Sequence, residues 1–225
     1  VAQNLKRVIE RINVVSSDGF TPRLVAVSKM KSAAMIKECY DAGQRHFGEN
    51  YVQQLTEKAP QLPSDISWHY IGKIQSNKAK QIVSVPNLFM VETVDREKAA
   101  ASLHKALQDS GREEPLSILV QVNPAAEETK SGITSAEELE KVVEYIRDKC
   151  PSLRFKGLMV IGRPGMMEDM DKLVSYKEHL LSKYPELKEL NPFELSMGMS
   201  NDFEDAIKKG STNVRVGSTI FGARD

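Results

Sequence analysis

Short apolar runs alternate with amphipathic stretches along nearly the whole chain. The first stretch, residues 2–16, carries apolar positions at helical spacing. Eight strand-like segments follow, at residues 24–28, 46–48, 68–71, 89–93, 117–123, 155–161, 193–197 and 213–216. Helical stretches at 32–42, 77–85, 96–110, 136–149, 168–183 and 202–209 lie between them and supply crossovers. No low-complexity linker interrupts the series, so residues 1–225 are expected to form a single domain. Eight β-then-α units in a chain of this length predict a (β/α)8 TIM barrel with an extra N-terminal helix. An open doubly wound sheet more commonly uses five or six strands.

A parallel barrel presents its reactive groups at the carboxyl ends of its strands. Read in order, those ends are Lys29, Glu49 with Asn50, Gly72, Glu92 with Thr93, Asn123, Gly162, Met199 with Ser200, and Gly217 with Ser218. Polar and small residues gather there, whereas the opposite turns, such as Ser110-Gly111-Arg112, are ordinary. Lys29 ends the run Leu24-Val25-Ala26-Val27-Ser28, whose composition suits a strand buried on both faces. An ammonium desolvated at such a strand mouth loses its proton more easily, and the free amine attacks aldehydes. A lysine that ends a strand and snorkels to water fits the same segment.

Charge narrows the partners. Lys plus Arg and Asp plus Glu both number 31, so nothing points to a nucleic-acid or acidic membrane surface. No apolar run approaches the roughly 20 residues a membrane span needs, and no signal-peptide pattern opens the chain. The two cysteines, Cys39 and Cys150, form no metal or redox motif and suit a reducing compartment. A cytoplasmic protein is expected, with an organelle open because the sequence begins at Val1. The four histidines match no metal-ligand spacing, and no GxGxxG or GxxxxGK[ST] motif occurs.

Two segments resemble anion-binding turns: Ser196-Met197-Gly198-Met199-Ser200-Asn201-Asp202 and Val214-Arg215-Val216-Gly217-Ser218-Thr219. Ser200 or Asn201 can cap the following helix, whose dipole suits phosphate, and Gly217 lets backbone amides approach a ligand. A plain helix cap followed by Asp202, Glu204 and Asp205 explains the first segment equally well, and those carboxylates oppose a dianion unless they turn away. Arg215 is an obligate donor one residue before the strand end; its alternative is an ion pair with Glu49 or Glu92. An aldehyde held by Lys29 at one end and by phosphate contacts at the other leaves a ring for Arg215, and pyridoxal phosphate has that shape.

VAVSK ending at Lys29, FGENYVQ from Phe47, WHYIGKIQSNK from Trp68, and SMGMSND through VRVGSTIFGAR resemble the pyridoxal-phosphate homeostasis proteins over nearly the whole chain. That family is similar to the N-terminal barrel domain of alanine racemase. The resemblance implies a pyridoxal 5'-phosphate Schiff base at Lys29, phosphate contacts from Ser200, Gly217 and Ser218, Arg215 facing the pyridine nitrogen, and Asn50 beside the ring. Lys73, where members often carry another residue, receives no role, and Lys78 is read as a surface or loop residue.

A permanently cationic donor leaves the pyridine nitrogen unprotonated and the ring a weak electron sink. Racemisation also needs an acid/base on the far face, which in the racemase is a tyrosine from another domain. The sequence stops at Asp225 without such a domain, and none of its tyrosines is placed at the site. The expected function is therefore cofactor buffering or delivery in vitamin B6 homeostasis, by a monomer in transient contact with apo-enzymes. A small amino-acid racemase and an aldolase-type phosphosugar enzyme are the alternatives. Met166, Met167 and Met170 are read as gap-filling residues, or as part of a flap.

Overall fold

The computed structural model describes residues 1–17 and 19–223. Asp18, and Arg224 and Asp225 at the end of the expected 1–225 domain, lie outside the described residues. Eight parallel strands close into one barrel in sequence order: β1 Arg23–Val27, β2 His46–Glu49, β3 Ser67–Tyr70, β4 Leu88–Val94, β5 Leu116–Val122, β6 Leu153–Val160, β7 Glu194–Ser196 and β8 Asn213–Val216. The helices are α1 Ala2–Val15, α2 Ala33–Asp41, α3 Val52–Lys58, α4 Ala79–Val83, α5 Glu97–Ser110, α6 Ala136–Lys149, α7 Met167–Lys183, α8 Phe203–Lys208 and α9 Ser218–Phe221. The TIM barrel read from the sequence is present.

Each expected strand lies within two residues of its observed position, because β-branched and aromatic runs mark strand centres better than strand ends. Two helices escaped the sequence reading. The seven residues of α3 bury only Leu55, and α9 has four residues, so neither carries a readable period. Cys150 is the residue just past α6. It and Cys39 are buried free thiols, which burial pushes up to about 11 and about 12.

Alternation along β8 states the packing rule of the barrel. Val214 and Val216 join the apolar cluster under the helices, while Asn213 and Arg215 point inward. A small separate cluster, Met90, Leu119 and Met159 with Ile161, forms an apolar part of the interior. Outside, α1 buries Leu5, Val8 and Ile12 and ties itself to α8 and α9. Arg11 forks onto Glu204 at 3.0 and 2.8 Å and stacks on Phe203, and Asn4 donates to the Ile220 carbonyl at 3.2 Å. Among the described residues no helix is long and apolar enough to cross a membrane.

Gly157 in β6 has φ +152°, and a Cβ there would sit 2.0 Å from the Glu194 carbonyl oxygen of β7. Backbone cannot yield as a flexible side chain can. Gly157→Ala should therefore lower stability by about 3–5 kcal/mol, read from the urea midpoint, since strain and a broken strand pair combine.

Candidate cofactor site at the carboxyl ends of the strands

The turn after β1 carries Lys29, half-buried at the mouth of the barrel. Met30, the next residue, has φ +60°, a left-handed conformation that a non-glycine residue holds only when its surroundings enforce it. The enforcement comes from the unanticipated helix α3. Gln54 Oε1 accepts from the Met30 N–H at 2.8 Å, and Lys58 Nζ donates to the Ser28 carbonyl at 2.9 Å and to Gln54 Oε1 at 3.0 Å. Ser28 is pinned from the other side, its N–H donating to the Gly48 carbonyl at 2.9 Å. The backbone on both sides of Lys29 is thus fixed, which limits where its side chain can reach.

Lys58 also pairs with Glu49 at 2.8 Å, and the Ser28 hydroxyl donates to the same carboxylate oxygen at 2.7 Å. The other oxygen, Glu49 Oε2, is buried without a hydrogen-bond partner among the described residues. Burial pushes the Glu49 carboxyl above the ordinary carboxylate range, ahead of the opposing Lys58 and Ser28 contacts. Glu49 is therefore a support beneath the rim and not a wall of the cavity.

Lys29, Asn50, Ser200, Arg215, Gly217 and Ser218 line one cavity of about 360 Å³. The barrel thus brings together every residue singled out for the site. Lys31, Met159, Pro164 and Asp202 also line it. Lys31 is anchored by donation to the Ala223 carbonyl at 2.9 Å. Asn50 Oδ1 is buried with no hydrogen-bond partner among the described residues. Larger cavities open elsewhere, one of them with Arg23, Gln44, Arg45, His46 and Glu194 in its lining, but neither lies at the carboxyl ends of the strands, where such barrels place their chemistry.

Ser200 does not cap the helix that follows it. That helix starts at Phe203, and Asp202 Oδ1 accepts from the Met199 N–H at 2.7 Å. The Ser200 hydroxyl instead turns across to the start of α9, just past the last strand, and accepts from the Gly217 and Thr219 amides at 3.3 and 3.4 Å. These are long, readily exchanged bonds. Gly217 has no room for a side chain without crowding: its Cβ would lie 3.3 Å from both the Val27 carbonyl oxygen and Val27 Cβ. The feared acidic opposition is largely turned away, with Glu204 on Arg11 and Asp205 near Lys208 at 3.5 Å. Asp202 alone of the three lines the cavity.

Arg215 is buried, 4% exposed, and burial pulls it below the ordinary guanidinium range while Glu92 and Asp202 oppose that shift. The ion pair considered from the sequence is replaced by an indirect one. Arg215 Nη1 donates to the Ser196 hydroxyl at 2.6 Å, and that hydroxyl reaches Glu92 Oε2 at 2.5 Å. Nη2 donates to the Val160 carbonyl at 2.8 Å. Glu92 is not at a strand end, because β4 runs on to Val94 and turns it into the barrel. Of the other strand-end residues, Thr93 donates to the Gly72 carbonyl and Asn123 to the Glu127 and Lys130 carbonyls, so both serve the backbone.

No family model matches the chain. The pyridoxal phosphate homeostasis protein of Bos taurus is 50% identical over 215 residues, covering 91% of this chain and 78% of its own. The chain belongs to the pyridoxal phosphate homeostasis protein family. The structure of PipY from Synechococcus elongatus PCC7942 with PLP bound is 31% identical, with a TM-score of 0.82 over 98% of this chain and 99% of that one. Alanine racemase of Clostridium difficile 630 shares the barrel, with a TM-score of 0.73 at 14% identity over 99% of this chain and 60% of its own. That likeness supports the racemase-like fold expected from the sequence and nothing beyond the fold.

The Glu49–Lys58 pair yields a stability test. Lys58→Met leaves a buried carboxylate without its cation and should cost about 3–5 kcal/mol, part of which Glu49→Gln in the same chain restores. A carboxyl whose folded value exceeds its unfolded value favours the fold while protonated. The advantage is lost as pH rises through the folded value. The Lys58→Met protein should accordingly lose stability from acid to neutral pH more steeply than the double variant, by thermal melts across that range.

Proposed function

We propose that this member of the family binds pyridoxal 5'-phosphate in the cavity above the barrel as a Schiff base with Lys29, and acts in vitamin B6 homeostasis by holding and releasing it. The reading rests on one observation: Lys29, Asn50, Ser200, Arg215, Gly217 and Ser218 share a cavity of about 360 Å³, inside the range typical of small-ligand sites. Relatives named pyridoxal phosphate homeostasis proteins, and PipY with PLP bound, support it.

The residues fit the group. Asn50 supplies a buried acceptor in need of a donor. The Ser200 hydroxyl and the Gly217 and Ser218 backbone form a narrow cradle for phosphate, because a side chain at 217 would press on Val27. Lys31 and Arg215 add positive charge to the same cavity. When bound, the cofactor supplies an aldehyde carbon and an electron-accepting ring. The Lys29 amine condenses with that aldehyde and releases one water, and hydrolysis reverses the step. Arg215 donates toward the ring nitrogen and cannot surrender its proton, so it leaves that nitrogen unprotonated and the ring a weak electron sink.

Turnover as a racemase needs a second acid/base opposite Lys29. No tyrosine lines the cavity among the described residues; Lys31 and Asp202 are its other proton-exchanging side chains. This favours reversible holding over catalysis. The protein so read acts as a cytoplasmic monomer that meets apo-enzymes transiently, with no nucleic-acid or membrane partner.

Titrating the protein with pyridoxal phosphate should raise a visible imine band that Lys29→Ala lacks. Ser200→Ala should weaken binding roughly tenfold, the loss of one hydrogen bond. Deuterium exchange at the α-carbon of amino acids should stay at background. Vigorous exchange that depends on Lys29 would replace the carrier with a racemase.

A further inference from the structure

The contact between Arg215 and Ser196 is the upper end of a longer polar chain inside the barrel. Ser196 Oγ, besides meeting Glu92 Oε2, accepts from Asn213 Nδ2 at 3.0 Å, and the same amide reaches Glu92 Oε1 at 3.2 Å. His69 Nδ1 lies 2.7 Å from Glu92 Oε1, and its other ring nitrogen lies 2.9 Å from His46 Nδ1. His46 lines a second cavity, of about 460 Å³, at the amino-terminal ends of the strands. Hydrogen bonds therefore run from one mouth of the barrel to the other.

Two features set this chain apart from ordinary core satisfaction. Arg215 and Glu92 are both buried, yet they do not form a direct fork; a hydroxyl stands between them. The arrangement balances the guanidinium charge without capturing its whole donor edge, so Arg215 still lines the ligand cavity. The Glu92 carboxylate, in turn, is not left to burial. Burial pushes it up, but His69, Arg215 and Ser196 together hold it below the ordinary carboxylate range. A charged Glu92 makes His69 Nδ1 the donor in their contact. At the far end His46 is pushed down to about 3, by burial first and then by His69 and Arg23, so it stays neutral.

We infer that Glu92, acting through Ser196 and backed by His69, is a positioning residue for Arg215: it fixes the orientation of the guanidinium and offsets its charge toward a bound pyridine aldehyde. This rests on the reading that Lys29 holds such an aldehyde. With Glu92 charged, the field that Arg215 exerts on the Lys29 imine is partly cancelled. With Glu92 neutral, the full cation faces the cavity and opposes protonation of the imine.

The test uses the whole protein loaded with pyridoxal phosphate and follows the visible imine band against pH. In Glu92→Gln, conversion of the protonated to the unprotonated band should move to lower pH by roughly half a unit to one unit. Ser196→Ala, which keeps both charges and removes only the bridge, should move it in the same direction by less and keeps the test open if Glu92→Gln does not fold. Leu103→Ala, in the fully buried face of α5, should lower the melting temperature and leave the band titration in place. In the unloaded protein, ¹⁵N spectra should show the Arg215 Nη groups rotating faster in Ser196→Ala. A parent protein without an imine band would remove the underlying reading. A parent band with unchanged titration in both relay variants would remove this inference alone.

Discussion

Four residue pairs between β1 and β8 bring the two ends of the sequence side by side. Arg23, Leu24, Val25 and Ala26 pair with Asn213, Val214, Arg215 and Val216, and the register puts the turn after Val27 against the turn after Val216. Lys29 and Gly217 become neighbours only because the barrel closes. Without that pairing the amine and the amide cradle would belong to separate segments, and neither could hold a small molecule alone. The short distance from Gly217 to the Val27 carbonyl is a direct consequence of the same closure.

Closure also creates the electrostatic problem that the interior solves. A barrel of eight strands leaves room only for side chains at its centre, and here much of that space is polar. Two buried carboxylates are handled in opposite ways. Glu92 receives donors on both oxygens and is held ionised. Glu49 has one oxygen satisfied by Lys58 and Ser28 and one without a partner among the described residues, and burial raises it. The first belongs to the machinery behind Arg215, and the second stiffens the turn that carries Lys29. Both convert folding energy into fixed positions at the rim.

The sequence made the barrel legible because apolar strands repeat at crossover intervals, and it made Lys29, Ser200 and Gly217 legible because strand ends are where such folds place chemistry. It could not reveal what lies between. Helix α3 was hidden by its shortness, and with it went Gln54 and Lys58. His46, His69, Glu92 and Ser196 each looked ordinary in isolation, and their meeting depends on strand register. One signal was available: His46, His69 and Glu92 fall on successive strands at a constant separation of 23 residues. The helix-cap reading of Ser200 failed for a related reason, since the partner its hydroxyl finds, Gly217, lies just past the last strand.

All of this assigns the structure one central task, which is to offer the Lys29 amine to an aldehyde whose phosphate rests on the last strand. Borohydride reduction of the cofactor-loaded protein, followed by peptide mapping, tests that claim most directly. A single pyridoxyl group on Lys29 is expected. Reduction that leaves Lys29 unmodified, or that labels Lys31 in its place, would contradict it.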